Sequence, residues 1–161
     1  LVWEDNFDVA GLPDSTIWGY EEGYIRNGEA QYYIKNRPEN ARVEGGNLVI
    51  EARHDTWIGK KITSASINAY GKKIMLYGRF EVKAELPTAV GTWPAIWLLG
   101  NVISEDAECP ACGEIDILEN VGFDPDTIHA NIHTEANNHS IGTNKRSRIG
   151  VVKPFTPSTS R

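Results

Sequence analysis

The sequence contains no apolar run of membrane-spanning length. No stretch reads as a signal peptide, so a secreted form is expected to have lost its leader already. Cysteine is nearly missing: Cys109 and Cys112 are the two. They form Cys-Pro-Ala-Cys, a motif that can serve thiol redox chemistry or supply half a zinc site. Redox forms of the motif open a helix, whose N-terminus lowers a thiol pKa; here Gly113 and a strand pattern follow. Zinc would need a second cysteine pair, which the sequence lacks. A local disulfide or two free thiols are the readings left. Positive charge is in short supply: the formal net charge is −6, which disfavours nucleic acid and anionic membranes as partners. A strongly anionic polysaccharide also fits poorly, unless a local basic patch overrides the balance. Internal repeats, heptads and convincing amphipathic helices are all missing, which leaves an all-β fold.

What is present is 161 residues with five Trp and six Tyr, enough for one domain with a real core. The most unusual stretch is 112–122, Cys-Gly-Glu-Ile-Asp-Ile-Leu-Glu-Asn-Val-Gly. Glu114, Asp116 and Glu119 are threaded between apolar residues, a strand pattern with one dry and one charged face. Glu114 and Asp116 share a face. On a regular strand Glu119 would point the other way. The adjacent pair Ile117 and Leu118 suggests a β-bulge, whose extra residue would return Glu119 to the acidic face.

Like charges on one face repel, so stability gives no reason for this arrangement. A retaining glycosidase has a reason, because it needs two carboxyls about 5–5.5 Å apart, a nucleophile and an acid/base. Four strand steps separate Cα atoms by roughly 13 Å. A bend at the bulge and inward-leaning side chains would close most of that gap. Asp116 between them would hold a proton or hydrogen bond and help set two pKa values apart. The competing readings are the charged solvent face of an ordinary strand, or a calcium site.

Along the rest of the chain, residues 1–8 read as a first strand with a Trp3/Phe7 anchor, and the acids there suit a structural Ca²⁺. Asn27-Gly28 signals a tight turn. Residues 41–53 have a hairpin pattern around Gly45-Gly46, and 62–70 reads as a strand. In 77–86, Phe80, Val82, Ala84 and Leu86 alternate with Arg79, Glu81, Lys83 and Glu85, a further strand pattern. Arg79 then reads as a solvated or cross-strand-paired cation. In 91–100, Trp93 and Trp97 fall on one face of a strand, with Ile96 and Leu98 able to supply the buried face. A stacking platform for pyranose rings is favoured over core packing. Residues 127–134 alternate Ile128, Ala130 and Ile132 against His129, Asn131 and His133. On a strand the two imidazoles are roughly 13 Å apart at Cα, too far to share one ion. That polar face suits a groove beside Glu119, with His133 as the candidate. Residues 137–148 are polar and basic, expected as a loop, and 151–161 read as a linker or loop.

Asn-Gly-Glu-Ala-Gln-Tyr-Tyr, Arg-Pro-Glu-Asn-Ala-Arg-Val-Glu, Gly-Arg-Phe-Glu-Val-Lys-Ala-Glu-Leu-Pro, Gly-Thr-Trp-Pro-Ala-Ile-Trp-Leu-Leu-Gly and Gly-Glu-Ile-Asp-Ile-Leu-Glu follow one another in this order. The set resembles glycoside hydrolase family 16, in its bacterial laminarinase-type branch. The resemblance implies a β-jelly-roll sandwich of two curved antiparallel sheets with a sugar groove on the concave face. It implies endo-acting, retaining hydrolysis of β-1,3-glucan, in some relatives also of mixed-linkage β-1,3/1,4-glucan. Glu114 would be the nucleophile, Asp116 the assisting acid and Glu119 the acid/base. Asn27 and Arg79 would reach the sugar. The implied partner is a polysaccharide, with no cofactor for catalysis, and the implied setting is a secreted, cell-surface or periplasmic bacterial one.

Two other readings compete. One is a galactan hydrolase of the same family, since the bulged motif also occurs in relatives that cut agars, carrageenans and porphyrans. The other is a carbohydrate-binding β-sandwich without turnover. Sandwiches of this type commonly run to about 200–250 residues. Residues 1–161 are therefore expected to be the N-terminal portion of one catalytic domain, paired with a C-terminal fragment. Arg161 would suit a trypsin-like nick in the tail; an incomplete length of chain competes with that idea.

Overall fold

Short β-branched and aromatic runs, broken by Gly, Pro and Asn, can support only short strands. The computed structural model describes residues 1–101 and 109–150, which fall into two units, Leu1–Gly78 and Arg79–Arg161. The first unit holds β1 (Gly19–Tyr20), β2 (Tyr32–Tyr33), β3 (Ala41–Glu44), β4 (Asn47–Ile50), β5 (Arg53–His54), β6 (Ile62–Ser64) and β7 (Ile67–Asn68). β1 pairs with β7, β3 with β4, and β6 lies between β2 and β5. The β2–β6 pairing is parallel; the others are antiparallel.

The β3–β4 hairpin follows from its turn. Gly45 and Gly46 both take positive φ, 59° and 72°, as a two-residue hairpin loop matched to strand twist requires. Ala41 and Val43 are the inward residues of β3 and are buried with Tyr33, Ile34 and Ala65. Asn40 is fully buried and fully used: it donates to Glu51 O at 3.0 Å and Thr63 Oγ1 at 3.1 Å and accepts from Arg37 at 2.9 Å. That satisfaction is what makes its burial tolerable. Arg37 also bonds Asp55 at 2.7 Å and lies 4.5 Å from the Trp57 ring.

The second unit holds β8 (Ala95–Leu99), β9 (Glu114–Glu119), β10 (Thr127–His133) and β11 (Lys145–Gly150), an antiparallel sheet in the order β11-β10-β9-β8. Two glycines let the chain close on the ends of the β8–β9 pair. A Cβ on Gly100 would lie 1.8 Å from Cys112 O, and one on Gly122 would lie 2.0 Å from Ala89 O. Cys109 and Cys112 form a disulfide, which settles the choice between the disulfide and free-thiol readings.

Four expectations need correction. Residues 1–8 form no strand, although their anchor is real: Trp3 and Phe7 both pack on Trp18, at 6.0 and 6.1 Å between ring centroids. In 62–70 the expected strand is broken into β6 and β7. Residues 77–86 join no ladder among the described residues. Alternation prepares a segment for a sheet, but the hydrogen bonds need a neighbour. The polar stretch 137–148 is not all loop, because 145–150 becomes β11, recruited by the free edge of β10. Lys145, Arg146 and Arg148 leave β11, an edge of this sheet among the described residues, exposed and charged, a usual guard against edge pairing. The expected linker 151–161 lies outside the described residues.

Candidate active site

β9 is flanked by β8 and β10, and the register on both sides reports which residues share a face. Ala95 and His129 pair with Glu119, Trp97 and Asn131 with Asp116, and Leu99 and His133 with Glu114. Between the first two rows β8 and β10 advance two residues while β9 advances three. The surplus is a bulge at Ile117–Leu118, and it turns Glu119 onto the face of Glu114 and Asp116. The expected irregularity is therefore present, and the three acids look the same way.

Asp116 is the buried member, 5% exposed; Glu114 and Glu119 are half-buried. Burial, then the charges of Glu114 and Glu119 and a hydrogen bond with Glu114, push the Asp116 carboxyl up to about 7, and His133 opposes the shift. Desolvation and two like charges both favour the neutral form. His133 Nε2 lies 3.4 Å from Asp116 Oδ2. Glu114, Asp116 and His133 bring one donor atom each to within 4.8 Å of one another, close enough to surround a cation.

Trp93 stands before β8, 65% exposed, and donates its indole N–H to Glu119 Oε1 at 3.0 Å. Trp97 is on β8 opposite Asp116. Both indoles thus border the acidic face, but only Trp97 does so from a strand: the strand expected over 91–100 is limited to Ala95–Leu99, and Trp93 reaches the face from the segment before it. His133 is there too, opposite Glu114. Arg79 is exposed and bonded to Glu81 at 2.6 Å, a paired cation within its own segment. Asn27 belongs to the first unit, where it takes positive φ, 55°, beside Gly28 at 64°. Its turn reading is realised.

Three residues of the cluster escaped the sequence reading as candidates. Asn131 Nδ2 lies 2.7 Å from His133 Nε2, Asn144 Nδ2 donates to Asn131 Oδ1 at 3.0 Å, and His139 Nδ1 lies 3.4 Å from His133 Nδ1. Asn131 was legible on the polar face of β10. His139 and Asn144 were not, because they come from a polar stretch with no period. His139 is placed by the 3₁₀ turn His139–Ile141, which Asn138 caps by accepting from Ile141 N at 3.3 Å, and Asn144 directly precedes β11.

A family model described as glycosyl hydrolases family 16 matches residues 28–156. A beta-glucanase of Rhodothermus marinus is 50% identical over 154 residues, covering 94% of this chain and 54% of the relative. A glucan endo-1,3-beta-glucosidase of Cryptopygus antarcticus is 38% identical over 156 residues, covering 91% and 56%. The X-ray structure of the laminarinase from Rhodothermus marinus aligns with a TM-score of 0.88 at 49% identity, over 94% of this chain and 61% of that one. The chain spans about half the length of the curated relatives it matches. This likeness, with a chain built from β-strands, carries the expected fold class: part of an all-β jelly roll.

Proposed function

The chain belongs to glycosyl hydrolases family 16, and from that footing we propose that it carries the catalytic strand of an endo-acting, retaining hydrolase of β-1,3-glucan. The observation that carries the reading is the bulge, which sets two half-buried glutamates and a proton-holding aspartate on one face. Glu114 is the proposed nucleophile at the anomeric carbon, and Glu119 protonates the leaving oxygen. Water, giving its proton to Glu119, then attacks the anomeric carbon of the glycosyl-enzyme, breaking its bond to Glu114 and releasing the sugar. Asp116, neutral below about pH 7, donates a hydrogen bond to Glu114 and spares the site a third negative charge. Trp93 and Trp97 offer aromatic surface to the axial C–H groups of glucose rings. Asn27 and Arg79, both exposed, are the further proposed sugar contacts.

The names of the relatives support glucan as the substrate class, with mixed-linkage glucan as a second substrate. The disulfide supports a secreted or cell-surface setting, since such bonds persist in oxidising compartments. The share of the relatives that the chain spans supports completion of the domain by a C-terminal segment. Product analysis on laminarin, lichenan and agarose side by side tests the reading. Laminarin oligosaccharides released with retained anomeric configuration are expected. Release from agarose alone would transfer the site to galactans, and release from none would leave a binding module.

A further inference from the structure

Asn131 lies opposite Asp116 on β10, and its side-chain amide has one orientation open to it. The Ile132 backbone N–H can only donate, and it reaches Asn131 Oδ1 at 3.1 Å. Asn144 Nδ2 donates to the same oxygen at 3.0 Å. The other end of the amide, Nδ2, therefore faces His133 Nε2, 2.7 Å away. An amide nitrogen carries hydrogens and offers no lone pair, so Nε2 has to accept. A neutral ring then carries its hydrogen on Nδ1, the atom 3.4 Å from His139 Nδ1. The His133 side chain is 9% exposed, so water is a poor substitute for these partners. The same Nε2 is 3.4 Å from Asp116 Oδ2.

We infer that Asn131, locked by the Ile132 N–H and Asn144, is a positioning residue that keeps the His133 N–H turned away from Asp116, leaving the Asp116 carboxyl its own hydrogen to offer Glu114. A ring N–H aimed at Asp116 would favour the ionised carboxylate. The four residues form one chain, Asn144 to Asn131 to His133 to Asp116, that crosses from the start of β11 to β9. The arrangement of hydrogens belongs to the resting protein; its consequence for turnover rests on the hydrolase reading.

Imidazole ¹⁵N NMR of the full-length protein without substrate tests this, with His133 assigned by the signals lost in His133→Gln. The expected result is a His133 ring protonated on Nδ1 and bare on Nε2. Asn131→Asp keeps an acceptor for Ile132 and Asn144 but turns a second oxygen toward Nε2, so the ring is expected to move its hydrogen to Nε2. With that switch kcat falls at least about tenfold while KM stays within about twofold. A wild-type ring protonated on Nε2, or exchanging between both forms, would overturn the inference, and this measurement stands even where the variant does not fold. A switched ring with unchanged kcat would overturn the positioning role. A protein that hydrolyses no glycan would sink the hydrolase reading and leave the tautomer result intact.

Discussion

Trp93 donates its indole N–H to Glu119 Oε1 at 3.0 Å, so one aromatic residue both borders the acidic face and holds one of its acids. A hydrogen bond to a charged group is worth about 1.5–3 kcal/mol when shielded and less when exposed. Trp93→Phe keeps a ring and loses the donor. Its kcat/KM is expected to fall roughly three- to tenfold, the lower end of that range reflecting the exposure of the indole. Trp93→Ala, which loses the ring as well, should raise KM further. Steady-state kinetics on laminarin separate the two contributions; equal kinetics for Trp93→Phe and wild type would deny the bond a role.

The carboxyls on either side of the bulge should be separable from the fold. Glu114→Gln and Glu119→Gln are each expected to abolish most turnover, on the order of a hundredfold or more, while circular dichroism and melting temperature stay near wild type. Either variant with near-native activity would remove that residue from its role.

Asp116 makes stability depend on pH in an unusual direction. Its carboxyl keeps a proton in the folded protein up to about pH 7, against an ordinary value of 3.8. Between those values the folded state binds more protons than the unfolded chain, so stability falls as pH climbs from about 4 to about 7 and the loss is complete above that. Asp116→Asn removes the cost. Its melting temperature is expected to exceed that of wild type at pH 8 and to match it at pH 4. Differential scanning calorimetry across this range checks the sign. Turnover should be lower in the variant, since stability and activity compete at a built site.

Gly122 follows β9, and its backbone N–H donates to Thr92 O at 2.9 Å. A Cβ there would lie 2.0 Å from Ala89 O and 3.0 Å from Thr92 Oγ1. Backbone cannot yield as a side chain can, so Gly122→Ala is expected to cost about 1–3 kcal/mol or more. Urea denaturation measures it. A Gly122→Ala midpoint equal to wild type would show that the 87–92 segment moves freely away from β9.

Residue types and their order were enough for much of this protein. Alternation put Glu114 and Asp116 on one face, and the doublet Ile117–Leu118 marked where the strand would gain a residue. Asn27-Gly28 and Gly45-Gly46 announced their turns because few other residues accept positive φ. Those are properties of a short piece of chain, decided by its own sterics and polarity. Tertiary structure decided what needs two pieces. Residues 77–86 alternate as well as any strand but meet no partner among the described residues, whereas the patternless 145–150 pairs because β10 offers an edge. The proton on Asp116 and the amide lock at Asn131 likewise exist only once β8, β9, β10 and β11 lie side by side, because burial and cross-strand hydrogen bonds belong to neighbours in space and carry no period in the sequence.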